Sequence, residues 1–454
     1  MTFLNIVLGL IGLGIIVFIH ELGHFLAARL VGVDVEAFSI GWGNPILKKK
    51  IGSVEYRLGM FPLGGYCKMK GAADHNNEAW ENIQNGIKPE KGTYLAASPQ
   101  ARILIAFAGP LFNLIFAVII LSFILGAGRD FFVIESRIVL ASDLASDRIE
   151  EIFPADEAGF LSGDRITHIN NRPVQFFHEI QEIISLNANR ALAVTIDRNG
   201  EIISKTVTPA LDRSTGAGRI GITIWEDPII RTVTQQSPAE AAGLRPGDII
   251  VSAGGETVRN GADFSRIRAQ TAGNMVIVFE RDGYQMNALF SAKELEGELG
   301  FTWDSFIRHS TPRLNPFAAL ARGFTESLRT LGTSVRSLRL LFMGIDLTNA
   351  VSGPVRITYM IGDVATQGFE HGFAAGLRAT FGFIAMISII LCMMNLLPLP
   401  VVDGGMIILF FVELLRGKPI PPKAISIFQM CGMVLIGGLI VLAIFGDIMF
   451  FIRR

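Results

Sequence analysis

"VFIHELGHFLAARL", residues 17–30, sets three ionisable side chains inside a run that otherwise reads as membrane-spanning. Thr2 to Ile19 carries no charge, and His20, Glu21 and His24 follow without a break in the apolar pattern. Ionisable groups are costly in hydrocarbon, so a cluster here demands a specific partner. H-E-x-x-H on a helix puts two imidazoles at i and i+4 on one face, ready to share a cation, with a carboxylate beside them. These residue types suit Zn2+, which takes neutral imidazole nitrogens and carboxylate oxygens and keeps one position open for water in catalytic sites. The candidate ligands are His20 and His24, and Glu21 is placed to act as a base. The rival reading is a polar junction between helices, or a proton or ion pathway.

The rest of the chain fits a membrane setting. Half of its 454 residues are hydrophobic and only 18% are charged, too apolar for an ordinary soluble protein. Four uncharged stretches are long enough to cross a bilayer: Thr2–Ile19 running on through the motif, Ile103–Gly128, Ala379–Val402 and Ala424–Gly446. No Lys or Arg precedes Arg29, so the first stretch lacks the basic start of a signal peptide and is expected to be a retained helix. Lys48, Lys49, Lys50, Arg57, Lys68, Lys70, Lys88 and Lys91 put the first loop inside by the positive-inside rule, as Arg416, Lys418 and Lys423 do for the third. The long segment between the second and third spans and both termini are then expected outside. Arg453 and Arg454 run mildly against that orientation. Cys67, Cys392 and Cys431 all lie in or near the membrane part, leaving no disulfide framework for the external segment. A net charge of −1 and no basic tract give no indication of a nucleic-acid partner.

Two histidines do not complete a zinc site. "NLLPLPVVDGG", residues 395–405, closes the third span with two prolines and a Gly pair that cannot continue a regular helix. Irregular backbone at membrane depth is tolerated where it lines a cavity. Asp403 stands there, the only carboxylate for more than twenty residues before it. His20 lies about 28 Å from the outer end of its helix at 1.5 Å per residue, and Asp403 reaches a similar level from outside, so the three can meet. The other histidines fit less well: His75 is in the inner loop, and His168, His178, His309 and His371 are external.

The external segment is duplicated. Pro154, Ala158, Gly159, Gly163, Asp164 and Ile166 recur 84 residues later as Pro238, Ala242, Gly243, Gly247, Asp248 and Ile250. Arg198-Asn199-Gly200 likewise resembles Arg281-Asp282-Gly283, and "IGITIW" (220–225) resembles "LGFTWD" (299–304). A period this long means two domains and not a solenoid. "A-G-L-x-x-G-D-x-I" resembles a bacterial PDZ signature, which implies two small α+β domains. Such folds accept an extended peptide beside a sheet edge, or serve as steric baffles.

Two further segments are singled out. In 53–71, Val54, Tyr56, Leu58 and Met60 alternate with Glu55, Arg57 and Gly59, a turn is expected at Pro62–Gly65, and a second alternation follows, a hairpin signal. Placed just after the first span, its strand edge could receive an extended chain, with Tyr56, Leu58, Gly64 and Gly65 as candidate substrate-binding residues. Phe317, Leu320, Phe324, Leu328, Leu331, Val335, Leu338 and Phe342 recur at spacings of three and four, which predicts an amphipathic helix in the outer interface. "AGPLFN" (108–113) is read as close packing, with Asn113 available for a hydrogen bond, and "SGPVR" (352–356) has no evident physical role.

Together, H-E-x-x-H in the first span, N-x-x-P-x-P-x-x-D-G in the third and the paired PDZ-like units resemble the site-2 protease family of intramembrane zinc metalloproteases, in its RseP-type form with two PDZ domains. The resemblance covers nearly the whole chain. It implies that His20, His24 and Asp403 bind one Zn2+ and that Glu21 is the catalytic base. It also implies that Asn395 holds substrate and that the hairpin is a membrane-associated β-loop. Val402 stands where many relatives have leucine, and Trp42 replaces Phe in the G-F-G element. The expected fold is an α-helical polytopic membrane protein, with four transmembrane helices and a membrane-associated β-hairpin, plus two small α+β PDZ domains. Its divisions are 1–30, 31–100 (hairpin about 53–71), 101–128, 129–225 and 226–307 for the PDZ domains, 308–376 for the interfacial helix and linker, 377–414 and 424–452. The expected partners are the lipid bilayer, single-span membrane substrates such as a pre-trimmed anti-sigma factor and signal-peptide remnants, and peptide ligands of the PDZ domains. The expected place is a bacterial inner membrane, with the PDZ domains periplasmic and the site toward the cytoplasm. The competing functions are a membrane zinc protease cutting soluble loops, a metal or proton transporter, and a PDZ scaffold with a dead site.

Overall fold

The computed structural model describes residues 3–71, 89–144, 153–213, 215–338, 353–370 and 372–452, so His75 and His371 lie outside the described residues. It divides into a helical unit, built from the chain up to Arg129 and from Pro312 onward, and an α+β unit, Asp130–Thr311.

The elements of the helical unit are numbered in chain order. Helix α1 (Phe3–Leu30) leads into strands β1 (Val35–Ile51) and β2 (Val54–Met69), then α2 (Pro99–Gly126). After the α+β unit come α3 (Pro316–Leu338), α4 (Pro354–Glu370), α5 (Phe373–Leu396), α6 (Asp403–Arg416) and α7 (Pro422–Ile452). Four of these, α1, α2, α5 and α7, are long and apolar enough to cross a membrane. Their starts and stops follow from sequence. Ser98 caps α2 by accepting from the Ala101 N–H, with Pro99 at the first helical position. The 377–414 span breaks at Leu397–Val402, where Pro398 and Pro400 end α5 and Asp403 opens α6. Val401 there has φ +79°, a conformation costly for a β-branched residue, of order 1–3 kcal/mol.

Small residues bring the helices together. A methyl group at Gly9 would overlap the Thr358 carbonyl and one at Gly362 the Asn5 carbonyl, so the backbones of α1 and α4 touch. The Thr366 hydroxyl donates to Asn5 Oδ1 at 2.7 Å across the same seam, and the two helices run antiparallel. Helix α3 lies along α2 in the same manner, with Ala319 on Gly126, Gly323 on Ser122 and Leu331 near Leu114 and Ala117. The expected amphipathic helix is therefore packed lengthwise against a spanning helix. Its contact face is the small-residue row Ala319, Gly323 and Ser327, while Phe317, Leu320, Phe324, Leu328 and Val335 of the expected apolar stripe stay exposed. Between lipid-facing helices, close backbone approach substitutes for the hydrophobic drive that water would supply. The 308–376 division thus holds a second helix as well, α4.

"SGPVR" acquires a role. Asp447 of α7 is buried and accepts from the backbone N–H groups of Gly353, Val355 and Arg356, at 2.8, 3.1 and 3.2 Å. A carboxylate from one helix thereby caps the N-terminus of another, where the unsatisfied N–H groups and the helix dipole favour negative charge. A Cβ at Gly353 would collide with that carboxylate, and the Arg356 guanidinium lies 4.6 Å from the centre of the adjoining Phe450 ring.

The turn of the hairpin is not at Pro62–Gly65. It falls at Gly52–Ser53, between β1 and β2, and β2 runs on through residues 62–63 as one bent strand. Gly52, with φ +63°, supplies the left-handed residue that such a short connection needs. The partner strand is the "SIGWGN" stretch. Ala37–Ile40 pair with Gly65–Lys68 on one edge and are also in register with Glu55–Leu58.

In the α+β unit the duplication is physical. The short helices Pro154–Glu157 and Pro238–Ala241 correspond, as do the longer ones Phe177–Ser185 and Gly261–Gln270 and the hairpins 192–207 and 275–290. Each repeat has its own apolar core, around Phe160, Ile166 and Ile196 in the first and Ile250, Phe279 and Phe290 in the second. The shared Asp and Arg make the same bidentate pair. Arg198 holds Asp164 at 2.7 and 2.9 Å, and Arg281 holds Asp248 at 2.7 and 2.7 Å, each also donating to the carbonyl of Gly159 or Gly243. In the first repeat a cleft of about 710 Å³ opens between the helix Phe177–Ser185 and the segment Ala210–Ile222. In the second, Phe264, Phe301 and Trp303 pack against one another at 4.9–5.6 Å over the corresponding helix and strand.

At the other end of α6, Glu413 meets Arg102 of α2 at 2.6 Å, with only 8% and 4% of the side chains exposed, and the guanidinium lies 4.7 Å from the Phe410 ring. Arg102→Met leaves the Glu413 charge buried without its partner and is expected to destabilise the helical unit by about 3–5 kcal/mol, with Arg102→Met/Glu413→Leu recovering much of the loss. Thermal unfolding in detergent checks both. Asp447→Ala is expected to cost about 1–3 kcal/mol by orphaning the α4 N–H groups, read in the same assay.

Candidate metal centre

The approach of α2 to α1 builds the site. A methyl group at Gly23 would overlap the Ala108 carbonyl, and one at Gly109 would overlap the His24 ring and come within 2.8 Å of the His20 ring. Only with glycine at both positions can the helices lie this close. The "AGP" of α2 is therefore the surface on which the two imidazoles rest.

Helix periodicity aims His20 and His24 the same way, and their Nε2 atoms stand 3.2 Å apart. The broken chain after α5 brings Asp403, first residue of α6, to meet them. His20 Nε2 is 3.3 Å from Asp403 Oδ2, and His24 Nε2 is 3.5 Å from Oδ1. One ligand atom from each residue lies within 4.8 Å of the others. Ligand atoms about 2.1 Å from a tetrahedral zinc ion are about 3.4 Å apart, close to the His20–His24 and His20–Asp403 separations. Chemistry agrees. His24 Nδ1 donates to the Ile105 carbonyl of α2 at 2.8 Å, which leaves its Nε2 with a lone pair turned toward the cluster. Asp403 Oδ2 is buried with no hydrogen-bond partner in the chain. Two imidazole nitrogens and a carboxylate converging in one place form a donor set for a cation, and the residues present fit zinc.

Glu21 follows His20 on α1 and is flanked by the hairpin. The strand lies against it at Gly65, where a Cβ would come 3.1 Å from Glu21 Cγ. Sheet edge and side chain are thus neighbours. That edge, Gly65–Met69, pairs with β1 on one side and with no other strand among the described residues.

The remaining candidates are distributed around this core. Asn395 stands on the last turn of α5, at the start of the bend that presents Asp403. Gly64 packs under the Trp42 indole, which explains why the glycine there adjoins a tryptophan. The Tyr56 ring lies against Phe25 and Phe38, at 6.3 and 6.0 Å, and Leu58 is 39% exposed further along the strand. The sequence left Asn113 available for a hydrogen bond without naming its partner, and its side-chain amide is 3.3 Å from His20 Nδ1. The available signal was a polar residue one turn beyond Gly109 in an otherwise apolar helix. Ile105 carried no signal, since it acts through its backbone.

Comparison with known proteins agrees with the geometry. The model of peptidase family M50 matches residues 8–439 of the chain. A protein of Treponema pallidum (strain Nichols) with "zinc metalloprotease" in its name is 35% identical over 455 residues, 98% of this chain and 99% of its own length. Proteins of Borreliella burgdorferi and Neisseria meningitidis serogroup A, with the same words in their names, are 32% and 30% identical, covering 94% and 96% of both chains. The chain belongs to peptidase family M50 and is a multi-pass zinc metalloprotease.

Proposed function

We propose that this protein hydrolyses single-span membrane proteins within or beside their membrane segment, toward the cytoplasmic face of a bacterial inner membrane. The observation that carries the reading is the meeting of His20, His24 and Asp403 among helices apolar enough to span a bilayer. His20, His24 and Asp403 hold the zinc ion, which when bound supplies Lewis acidity toward water and the substrate carbonyl. Glu21 takes a proton onto its carboxylate from the attacking water and delivers it to the departing amide nitrogen. Asn395 helps hold the substrate chain close to Glu21.

A helical substrate must give up its own hydrogen bonds before a peptide bond is accessible. The open edge Gly65–Met69 supports strand addition as the replacement, because it lies beside Glu21 at Gly65. Tyr56, Leu58 and Gly64 then shape the same sheet around that edge. The two repeats are read as PDZ domains on the outer side, limiting the bulk that can approach. The cleft of the first supports a peptide-docking role there, whereas the aromatic cluster of the second fills the corresponding place. A membrane anti-sigma factor already trimmed outside, or a leftover signal peptide, has the required form: one span and a short external stub.

Purified protein in detergent, given a model single-span substrate, tests the reading. Glu21→Gln is expected to keep one zinc per chain and lose cleavage by about a hundredfold or more, while Asp403→Ala loses both zinc and cleavage. Cleavage by Glu21→Gln at the wild-type rate would overturn the assignment, and a scissile bond mapped to a soluble loop would favour the loop-cutting protease. Gly65→Ala is expected to lower cleavage by about tenfold or more with zinc retained, since its methyl would come 2.7 Å from both Val17 Cγ1 and the Ser39 carbonyl oxygen and displace the edge.

A further inference from the structure

Helix α2 serves the metal centre twice, and only one of the two contacts is already explained. The Ile105 carbonyl fixes the His24 ring. Asn113, two turns further along α2, is wholly buried, and its side-chain nitrogen is drawn 3.3 Å from His20 Nδ1. Its Oδ1 has no hydrogen-bond partner in the chain. The backbone around it is anchored, because its own carbonyl accepts from the Ser388 hydroxyl of α5 at 3.0 Å. A buried amide held this firmly, with its acceptor idle beside a metal-ligating ring, is an unusual expense unless the acceptor is used.

The ring decides which way the amide faces. His20 can direct an Nε2 lone pair at a cation only if Nδ1 carries the proton. A protonated Nδ1 needs an acceptor, and an N–H group facing it would repel it. The oxygen and nitrogen of an amide occupy equivalent positions, so the orientation follows from the hydrogen-bond partners. Turning the Asn113 amide over brings Oδ1 to the ring and gives the idle oxygen a donor. We propose that Asn113 is the positioning residue of the metal centre: its Oδ1 accepts the Nδ1 proton of His20, selecting the tautomer and ring angle that present Nε2 to zinc. Both imidazoles are then oriented from α2, one by a backbone carbonyl and one by a side-chain amide, and Gly109 between them provides the space. The inference rests on the zinc centre and is independent of which substrate is cut.

The test reads zinc affinity of the full-length protein in detergent, by competition with a chromogenic chelator, together with the visible spectrum of the Co2+-substituted form. Asn113→Leu, close in volume and without polar atoms, is expected to weaken zinc binding by about 10–100-fold and to change the Co2+ bands. Asn113→Asp keeps an acceptor and removes the donor, so its zinc affinity is expected to equal or exceed that of the wild type. If Asn113→Leu does not fold, Asn113→Asp alone decides, because an amide donating to the ring predicts a loss of affinity on that change. A weakened Asn113→Asp, or an Asn113→Leu protein with wild-type affinity and Co2+ spectrum, would overturn the proposal. Wild-type protein that binds no zinc would instead overturn the metal centre itself.

Discussion

The close approach of α1 and α2 at Gly23, Ala108 and Gly109 is the constraint on which the site depends. Side chains at those glycines would hold the helices apart and leave the imidazoles without a supporting surface. With the helices in contact, a single apolar helix can orient two imidazoles that it does not itself carry. The polar atoms required are few, which matters in a low-dielectric setting where each buried polar group needs its own partner.

Asp403 is delivered by a different device. Two prolines end α5, the chain turns through a strained Val401, and α6 restarts with Asp403 at its tip. That restart would wander if α6 were held only there. The buried pair of Glu413 with Arg102 fastens its far end to α2, the same helix that carries Ile105 and Asn113. Helix α2 therefore references His20, His24 and Asp403 to one rigid element. A catalytic metal site needs such second-layer support because ligand positions tolerate only a fraction of an ångström of slack.

Helix α7 stands apart from this arrangement. Much of its surface is exposed, and its contacts include Asp447 capping α4, Gly432 seated on Pro400 and Val401, and Phe450 beside Arg356 and Tyr359. The second of these touches the loop that presents Asp403. Attachment at a few local contacts suits an element bordered mainly by lipid, where extensive apolar burial gains nothing over contact with acyl chains.

The sequence by itself determined the spans, the two elements that bring His20, His24 and Asp403 together, and the duplication. Each is written in local chemistry: uninterrupted apolar length, H-E-x-x-H on one helical face, prolines ahead of Asp403, and a Gly-Asp turn repeated at 84 residues. It also marked 53–71 as extended but misplaced the turn, because Pro62 and the following glycines resemble a reversal, whereas the partner strand lay upstream in 35–51. Tertiary structure alone decided how the groups between the ligands are used. "SGPVR" became a cap receiver only when Asp447 arrived from 91–94 residues away, and the amphipathic stripe of α3 turned outward because its small residues fit α2 better. Asn113 became a partner of His20 for the same reason. Hydrogen bonds and backbone contacts between distant helices depend on which surfaces can approach within a few ångströms, and no local pattern of residues encodes that distance.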